Sequence, residues 1–307
     1  MKNHKFRLTT AQLAEICNTS QGTVDRALHN RSGVSPKTKA RILRVAQEYG
    51  YRPSGEPVKL IGIIVFDLYN DYFSELVMCL EAVCREAGYS AVVMFSGKDK
   101  AEEKKCLERL FFMGVDGIVL CPVNRGEEFS AYLQSFAVPV VTIGNRVEGI
   151  SFAGIRDKDA MAAAAEHILD AGYKHIVYYS PVLFRGRDTN ISAQEDRLAG
   201  FQKAIAGRDV TYAVAGSPEE LAGIPGEASA ILCSTDYYAL QLIFSGKARG
   251  WGIMGIDNIR SVDYYHVRLD TIGHDSMRVA RYAIENILQG GLQNRYAEFT
   301  LVRRGSV

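Results

Sequence analysis

No stretch of the 307 residues holds the roughly 18 consecutive apolar side chains that a membrane-crossing helix needs, so no span is expected. The opening MKNHKFRLTT lacks the apolar core of a secretory signal, which makes a cytoplasmic protein the expectation. Six cysteines (Cys17, Cys79, Cys84, Cys106, Cys121, Cys233) contain no CxxC pair, and runs such as GIVLC and AILC place several among aliphatic residues. Buried, reduced thiols fit that pattern better than disulfides. The six histidines (His4, His29, His167, His175, His266, His274) include no pair at metal-ligand spacing. Also missing are a GxxxxGK[ST] phosphate loop, a GxGxxG after a strand and a GxSxG elbow. Catalysis, a metal site and a cofactor are therefore not expected.

What is present is a chain of 47% hydrophobic and 23% charged residues, enough to bury one large core or two medium ones. Its net charge of +1 conceals an asymmetry: residues 1–53 carry ten Lys and Arg against three acids, and the remainder is acidic by six charges. A compact basic head on an acidic body suits a polyanion-binding module joined to a separate domain. A solvated basic face without a ligand is the plainer alternative.

Three short helices are legible in the head. Thr10 can cap AQLAEIC, with Leu13, Ile16 and Cys17 on one face; NTS interrupts; Ser20 can cap a second helix from Gln21 to about His29. Val24, Ala27 and Leu28 give that helix its buried stripe, leaving Gln21, Gly22, Asp25 and Arg26 outward. Ser35-Pro36 starts a third helix with Ile42, Leu43, Val45 and Ala46 inward, ending near Gly50. A helix, a tight turn and a second helix with an exposed N-terminal face is the helix-turn-helix arrangement that lays its second helix in a major groove.

Beyond the head, short apolar runs alternate with helical patterns: LIGIIVF, SAVVMF, DGIVLC, PVVTIG, then HIVYYS, TYAVAG, AILCS and WGIMGI. Alternation of this kind implies parallel sheets with helices on both faces. A break near Gly154 to Asp159, before an alanine-rich helix at 160–169, divides the body into two similar doubly wound lobes with a cleft between them.

The block LTTAQLAEICNTSQGTVDRALHNRSGVSPKTKARILRVAQEYGYRPS resembles the DNA-binding head of the lactose-repressor/galactose-repressor (LacI) family almost end to end. The body is similar to the same family's ligand-binding part, of the periplasmic binding protein-like fold, through NDYF (70–73), VDGIVLCP (115–122), VPVVTIGNR (138–146), EDRLAGF (195–201), STD (234–236) and GID (255–257). The resemblance implies an all-α head at 1–53, a linker at 54–60 and an effector-binding body at 61–307. It implies lobe 1 at about 61–155 and 273–292, and lobe 2 at about 156–272 and 293–307, with helix 276–289 on lobe 1. Only seven residues separate Pro53 from Ile61, and Gly55 and Pro57 lie among them, so the family's hinge helix is expected to be absent.

The resemblance places Thr10, Ser20, Gln21, Gly22, Thr23, Asp25, Arg26 and Asn30 against double-stranded operator DNA, read as a pseudo-palindrome by a homodimer. Gln suits adenine and Arg suits guanine in the major groove; Gly22 has nothing to read with. Asp25 stands where the family has a phosphate-contacting serine, and there it must pair with a neighbour or accept from a cytosine amino group.

For the effector, the resemblance gathers Asn70, Tyr72, Phe73, Asn145, Arg146, Arg197, Thr235, Asp236, Asp257 and His274 at strand ends lining the crevice. Aromatic faces beside Arg, Asn and Asp suit a sugar-like polyol. Alternatives stay open: Tyr72 or Phe73 as core, Asp236 as a helix cap, Arg197 with a buried anion such as Asp257, His274 as a structural polar group. Asn145, Thr235 and His274 replace the family's common Asp, Asn and Gln, so an ordinary pentose or hexose does not follow. The function implied is a ligand-responsive transcriptional regulator, most simply a repressor. The rivals are a cytoplasmic small-molecule-binding protein and a DNA-binding protein with a degenerate cleft.

Overall fold

A small three-helix core forms in the first of two units, Met1–Val58, and the second, Lys59–Val307, has cores of its own. The computed structural model describes residues 9–28, 31–48, 58–184, 188–221 and 229–307. Helix α1 (Thr10–Ile16) is capped one residue earlier than expected: Thr9 Oγ1 accepts from Gln12 N–H (3.2 Å) and Thr9 N–H donates to Gln12 Oε1 (2.8 Å). Gln12, three residues after Thr9, completes a capping box, which Thr10 at the first helical position cannot make. Asn18 takes a left-handed φ of 44° and turns the chain. In α2 (Gln21–Leu28), Ser20 Oγ accepts from Thr23 N–H (3.1 Å), and in α3 (Pro36–Glu48), Ser35 Oγ accepts from Thr38 N–H (3.1 Å). The core is Leu13, Ala14, Cys17, Val24, Ala27, Ile42 and Ala46. Ile16 and Leu43, expected inward, are 44% and 43% exposed. Ala14 takes the inward place on α1, since Leu13 and Cys17 already define the face one turn apart. The expected absence of a hinge helix concerns residues 54–60, of which 54–57 lie outside the described residues, as does Asn30.

The body holds two six-stranded sheets. The first is built from β1 (Leu60–Val65), β2 (Ser90–Phe95), β3 (Gly117–Leu120), β4 (Val140–Ile143) and β5 (Ser151–Gly154), linked by α4 (Asp71–Glu86), α5 (Lys100–Met113) and α6 (Glu127–Gln134). After α7 (Asp157–Asp170), the second contains β6 (His175–Tyr179), β7 (Thr211–Ala215), β8 (Ser229–Cys233), β9 (Gly252–Asp257) and β10 (Asp270–His274). Its helices are α8 (Ser192–Ile205), α9 (Asp236–Phe244) and α10 (Arg260–Tyr264). The chain then returns to the first lobe with α11 (Ser276–Gln289) and β11 (Asn294–Tyr296), and ends in the second with β12 (Phe299–Val302).

Strand order is β11-β5-β4-β3-β1-β2 in one sheet and β12-β10-β9-β8-β6-β7 in the other, parallel except for β12 against β10. Successive connections leave β1 and β6 in opposite directions, so each sheet has its switch point there, with a crevice beyond the strand ends. Helix α11 buries Ala280, Ala283, Ile284 and Ile287 as expected, while Leu288 is 49% exposed. Residues 293–296 belong to the first lobe rather than the second, because Asn294 pairs with Phe152 in β5. The last crossing therefore lies at 297–298, and β10 carries the second lobe through His274.

Helices α7 and α8 touch where Gly200 faces Lys158: a Cβ on Gly200 would stand 2.0 Å from Lys158 O. Gly200→Ala should therefore lower stability by about 1–3 kcal/mol in thermal or urea unfolding. Alanine's helix propensity alone favours the variant by about 1 kcal/mol, so a variant as stable as the parent contradicts this close approach.

Candidate functional site

The strand ends of both sheets enclose a cavity of about 440 Å³. From the first lobe come Phe66, Asn70, Tyr72 and Phe73 after β1, Asn145 after β4, and Phe152 in β5; from the second come Asn190, Gln194 and Arg197 around α8, Thr235, Tyr237 and Tyr238 after β8, Asp257 ending β9 and His274 ending β10. Eight of the ten expected effector residues thus meet in one place.

Arg197 is the centre of the second-lobe wall. Its Nε donates to Asp157 Oδ1 (2.7 Å), Nη1 to Ser234 O (2.6 Å) and Nη2 to Asp257 Oδ1 (3.3 Å), all buried. Burial pulls the guanidinium pKa down, but the two carboxylates outweigh it and the group stays charged. The cluster then holds one cation and two carboxylates, and burial pushes both acids up, Asp257 to about 7. Asp257, with the longer single bond to Arg197, is the natural holder of the proton at low pH. Its backbone sits at φ 112°, strained for a side chain with a Cβ, which aims the carboxylate at the guanidinium. Asp157 was not singled out from sequence; the signal available was an acid at the first turn of a helix that directly follows a strand.

The other residues divide by what their polar atoms already do. Asn70 caps α4, its Oδ1 accepting from Tyr72 N–H (3.1 Å), and Thr235 caps α9 through Tyr238 N–H (3.3 Å). Phe73 meets Phe66 edge-on at 5.2 Å and Tyr72 at 5.0 Å, while Tyr72 also meets His274 at 5.4 Å. Burial lowers His274 to about 4, so the ring is neutral, and its buried Nδ1 has no hydrogen-bond partner among the described residues.

Two expected contacts lie elsewhere. Arg146 pairs with Asp196 and lies outside the cavity lining, its guanidinium taken up by that ion pair between the lobes. Asp236 is neither a cap nor a lining residue: its carboxylate turns inward to Thr271 Oγ1 (2.7 Å) and Ile259 N–H (3.1 Å), tying α9 to β10. Burial pushes it up to about 6.

Asn145 belongs to a polar seam that holds the lobes shut. Its Nδ2 donates to Asn190 O (2.8 Å) and Pro122 O (3.2 Å), and its Oδ1 accepts from Ala193 N–H (3.1 Å). Asn190 in turn donates from Nδ2 to Asn124 O and Arg146 O, both at 3.0 Å, and from its N–H to Val123 O (2.7 Å). Behind it, the buried carboxylate of Glu103 accepts from Val123 N–H (2.5 Å) and Asn124 N–H (3.0 Å), fixing the loop that receives Asn190. On the opposite side Arg260 pairs with Glu75 (3.1 Å) and Ser261 bonds Asp71.

In the separate head, Gln21, Gly22 and Arg26 are exposed. Arg26 reaches back one turn, so that a Cβ on Gly22 would lie 3.9 Å from its Nη2. Asp25 pairs with Arg31 at 3.0 Å, the neighbour that offsets its charge. Ser20 and Thr23 share a hydroxyl hydrogen bond of 2.9 Å, and Thr10 opens α1. Among the described residues no cluster of three or more His, Cys, Asp or Glu is placed to hold a metal, and no helix is long and apolar enough to cross a membrane. Burial raises the thiols of Cys84 and Cys121, to about 11 and about 12, which makes them poor nucleophiles.

Residues 11–54 match bacterial regulatory proteins, lacI family, and residues 59–214 match periplasmic binding proteins and sugar binding domain of LacI family. The HTH-type transcriptional regulator PtxS of Pseudomonas plecoglossicida is 30% identical over 254 residues, 78% of this chain and 71% of its own. The ribose operon repressor of Halalkalibacterium halodurans is 27% identical over 218 residues, 67% of this chain and 62% of its own. Among solved structures, the Lac repressor bound to ONPG aligns with a TM-score of 0.70 at 20% identity, over 98% of this chain and 100% of that one, a likeness of fold.

The raised acids give the body a pH signature. A carboxyl whose folded pKa is raised binds its proton more tightly when folded, so its contribution is full below about pH 4 and is lost as pH rises through the folded value. For Asp257 that loss runs to about pH 7. Asp257→Asn is neutral throughout, so its Tm relative to the parent should rise between pH 4 and 8. Parallel Tm curves for the two proteins would contradict the assignment.

Proposed function

We propose, from the premise that this chain belongs to the LacI family of bacterial regulatory proteins, that its body senses a small sugar-like molecule and its head carries the response to operator DNA. Membership makes it a ligand-responsive transcriptional regulator, in a family of regulators rather than enzymes. Repression is the mode that fits the relative named a ribose operon repressor, and the name of the matched body domain supports a sugar-like effector. The observation that carries the reading is the cavity between the lobes, with aromatic side chains on one wall and a buried Arg197 cluster on the other. A degenerate cleft would have collapsed onto apolar side chains, whereas this one keeps strained and desolvated polar groups in place.

In this proposal the two lobes close on the effector along the Asn145–Asn190 seam, and the body passes that state to a homodimer's paired heads. Each head presents Gln21 and Arg26 to base edges in a major groove, and two heads read the halves of a pseudo-palindrome. The pairing of Asp25 with Arg31 supports a place for that carboxylate beside the phosphate backbone.

Arg26→Ala should relax preference at one operator position and weaken binding by about 1–3 kcal/mol. Fluorescence anisotropy across single-base operator variants reads this out, and equal weakening on every sequence would mean a phosphate contact instead. In the same assay, any compound that raises the body's Tm should shift operator affinity. A stabilising compound that leaves affinity unchanged contradicts sensing.

A further inference from the structure

The first turn of α8 serves both the seam and the cavity. Ser192 Oγ accepts from Arg146 N–H (2.7 Å), Ala193 N–H donates to Asn145 Oδ1 (3.1 Å) and Asp196 pairs with Arg146, all across to the first lobe. Gln194 and Arg197, three residues apart and so on one side of the helix, line the cavity instead. Gln194 stands one residue before the EDRLAGF block, outside the motifs that carry the family resemblance.

A buried chain of hydroxyls fixes which way the Gln194 amide points. Ser234 Oγ donates to Ser180 Oγ (2.9 Å), and Ser180 Oγ donates to Gln194 Oε1 (3.1 Å). Both serines are fully buried, directly after β8 and β6. In the reverse direction the amide nitrogen would donate to Ser180 and Ser180 to Ser234, leaving the Ser234 proton buried without an acceptor. Such a group costs more than one hydrogen bond contributes. The oxygen of Gln194 is therefore engaged by Ser180, and its Nε2 has no acceptor among the described residues. The carbonyl of the same Ser234 accepts from Arg197 Nη1, so the amide and the guanidinium are held from one residue. By contrast Asn145, which the resemblance places against the effector, has both its amide oxygen and its amide nitrogen engaged by the seam.

We infer that Gln194 is a specificity-determining residue of this cavity: its Nε2 donates to an oxygen of the effector, and Ser180, itself oriented by Ser234, is the residue that positions it. The inference rests on the proposed sensing role and names a contact within it. A donor preset in this way takes a hydroxyl, carbonyl or ether oxygen. It rejects a hydrogen or a methyl group at the same place, since the amide then loses water without gaining an acceptor. Ala193, its neighbour in the turn, carries a bond of the seam, so this contact and lobe closure share one turn of helix.

The test is isothermal titration of the full chain with a panel of aldoses, ketoses, cyclitols and aldonic acids, and with the monodeoxy analogues of the members that bind. Gln194→Leu should weaken a binding member by about tenfold. One of its monodeoxy analogues should bind the parent protein about tenfold more weakly than it does, yet lose nothing further against Gln194→Leu. Gln194→Glu keeps the bond from Ser180 and puts an acceptor where the donor was, so it should weaken the same member at least as much. Ser180→Ala leaves Gln194 in place but frees its amide, and should weaken binding by about threefold or more. Each variant is checked for folding by its melting curve, and Gln194→Glu, which keeps the side-chain shape, decides the matter if Gln194→Leu unfolds. If every monodeoxy analogue loses as much against the Gln194 variant as against the parent, Gln194 reads no oxygen, and the inference falls while the sensor reading stands. Binding to a folded Ser180→Ala as tight as to the parent overturns the positioning role. If no panel member binds the parent or shifts its operator affinity, the sensor reading falls and the inference with it.

Discussion

A guanidinium with almost no access to water must be met on every side by acceptors, and that requirement organises the second lobe. Arg197 draws its partners from three strand-to-helix junctions: Asp157 after β5, Ser234 after β8 and Asp257 at the end of β9. Left without one of them, the charge would cost several kcal/mol. The packing that allows this lies one turn further along α8, where Gly200 lets the helix rest on the backbone of Lys158 and brings Arg197 beside Asp157. The charge cluster and the helix contact are one arrangement, and the cavity wall is its exposed surface.

The first lobe contributes a different kind of order. Its cavity wall is aromatic and adaptable, while its link to the second lobe is a row of amide hydrogen bonds through Asn190 and Asn145, braced from behind by the buried Glu103. Such bonds form only when the lobes meet, and each is modest alone, so closure is sensitive to a small added energy. A ligand bridging the aromatic wall and the Arg197 cluster would supply it. The charge asymmetry of the chain fits the same division: a basic head for a polyanion and an acidic body that does not compete for it.

The architecture was largely legible because period and punctuation are local. Alternating apolar runs announced most strands of both sheets, and Ser20, Ser35 and Pro36 marked helix starts in the head. Four strands escaped: β5, β10, β11 and β12 are three to five residues long and carry little pattern. Site residues were legible where a motif marks them, as at Arg197 in α8 and at Asp257, which ends β9. They were misread where direction decides: Asp236 follows β8 as a ligand contact would, yet its carboxylate turns inward to Thr271. Arg146 is adjacent to Asn145 but leaves the cavity for Asp196. Glu103 and Asn190 had no sequence signal, since their partners lie some tens of residues away and a single polar residue in a helix or loop looks solvated.

The central claim is that the Arg197–Asp157 pair is the desolvated charge contact on which the cavity depends. A double-mutant cycle of Arg197→Ala and Asp157→Ala, followed by urea unfolding of the full chain, tests it most directly. The account predicts single variants that each lose about 3–5 kcal/mol and a double variant that loses far less than their sum. Losses that add to within about 0.5 kcal/mol would contradict it.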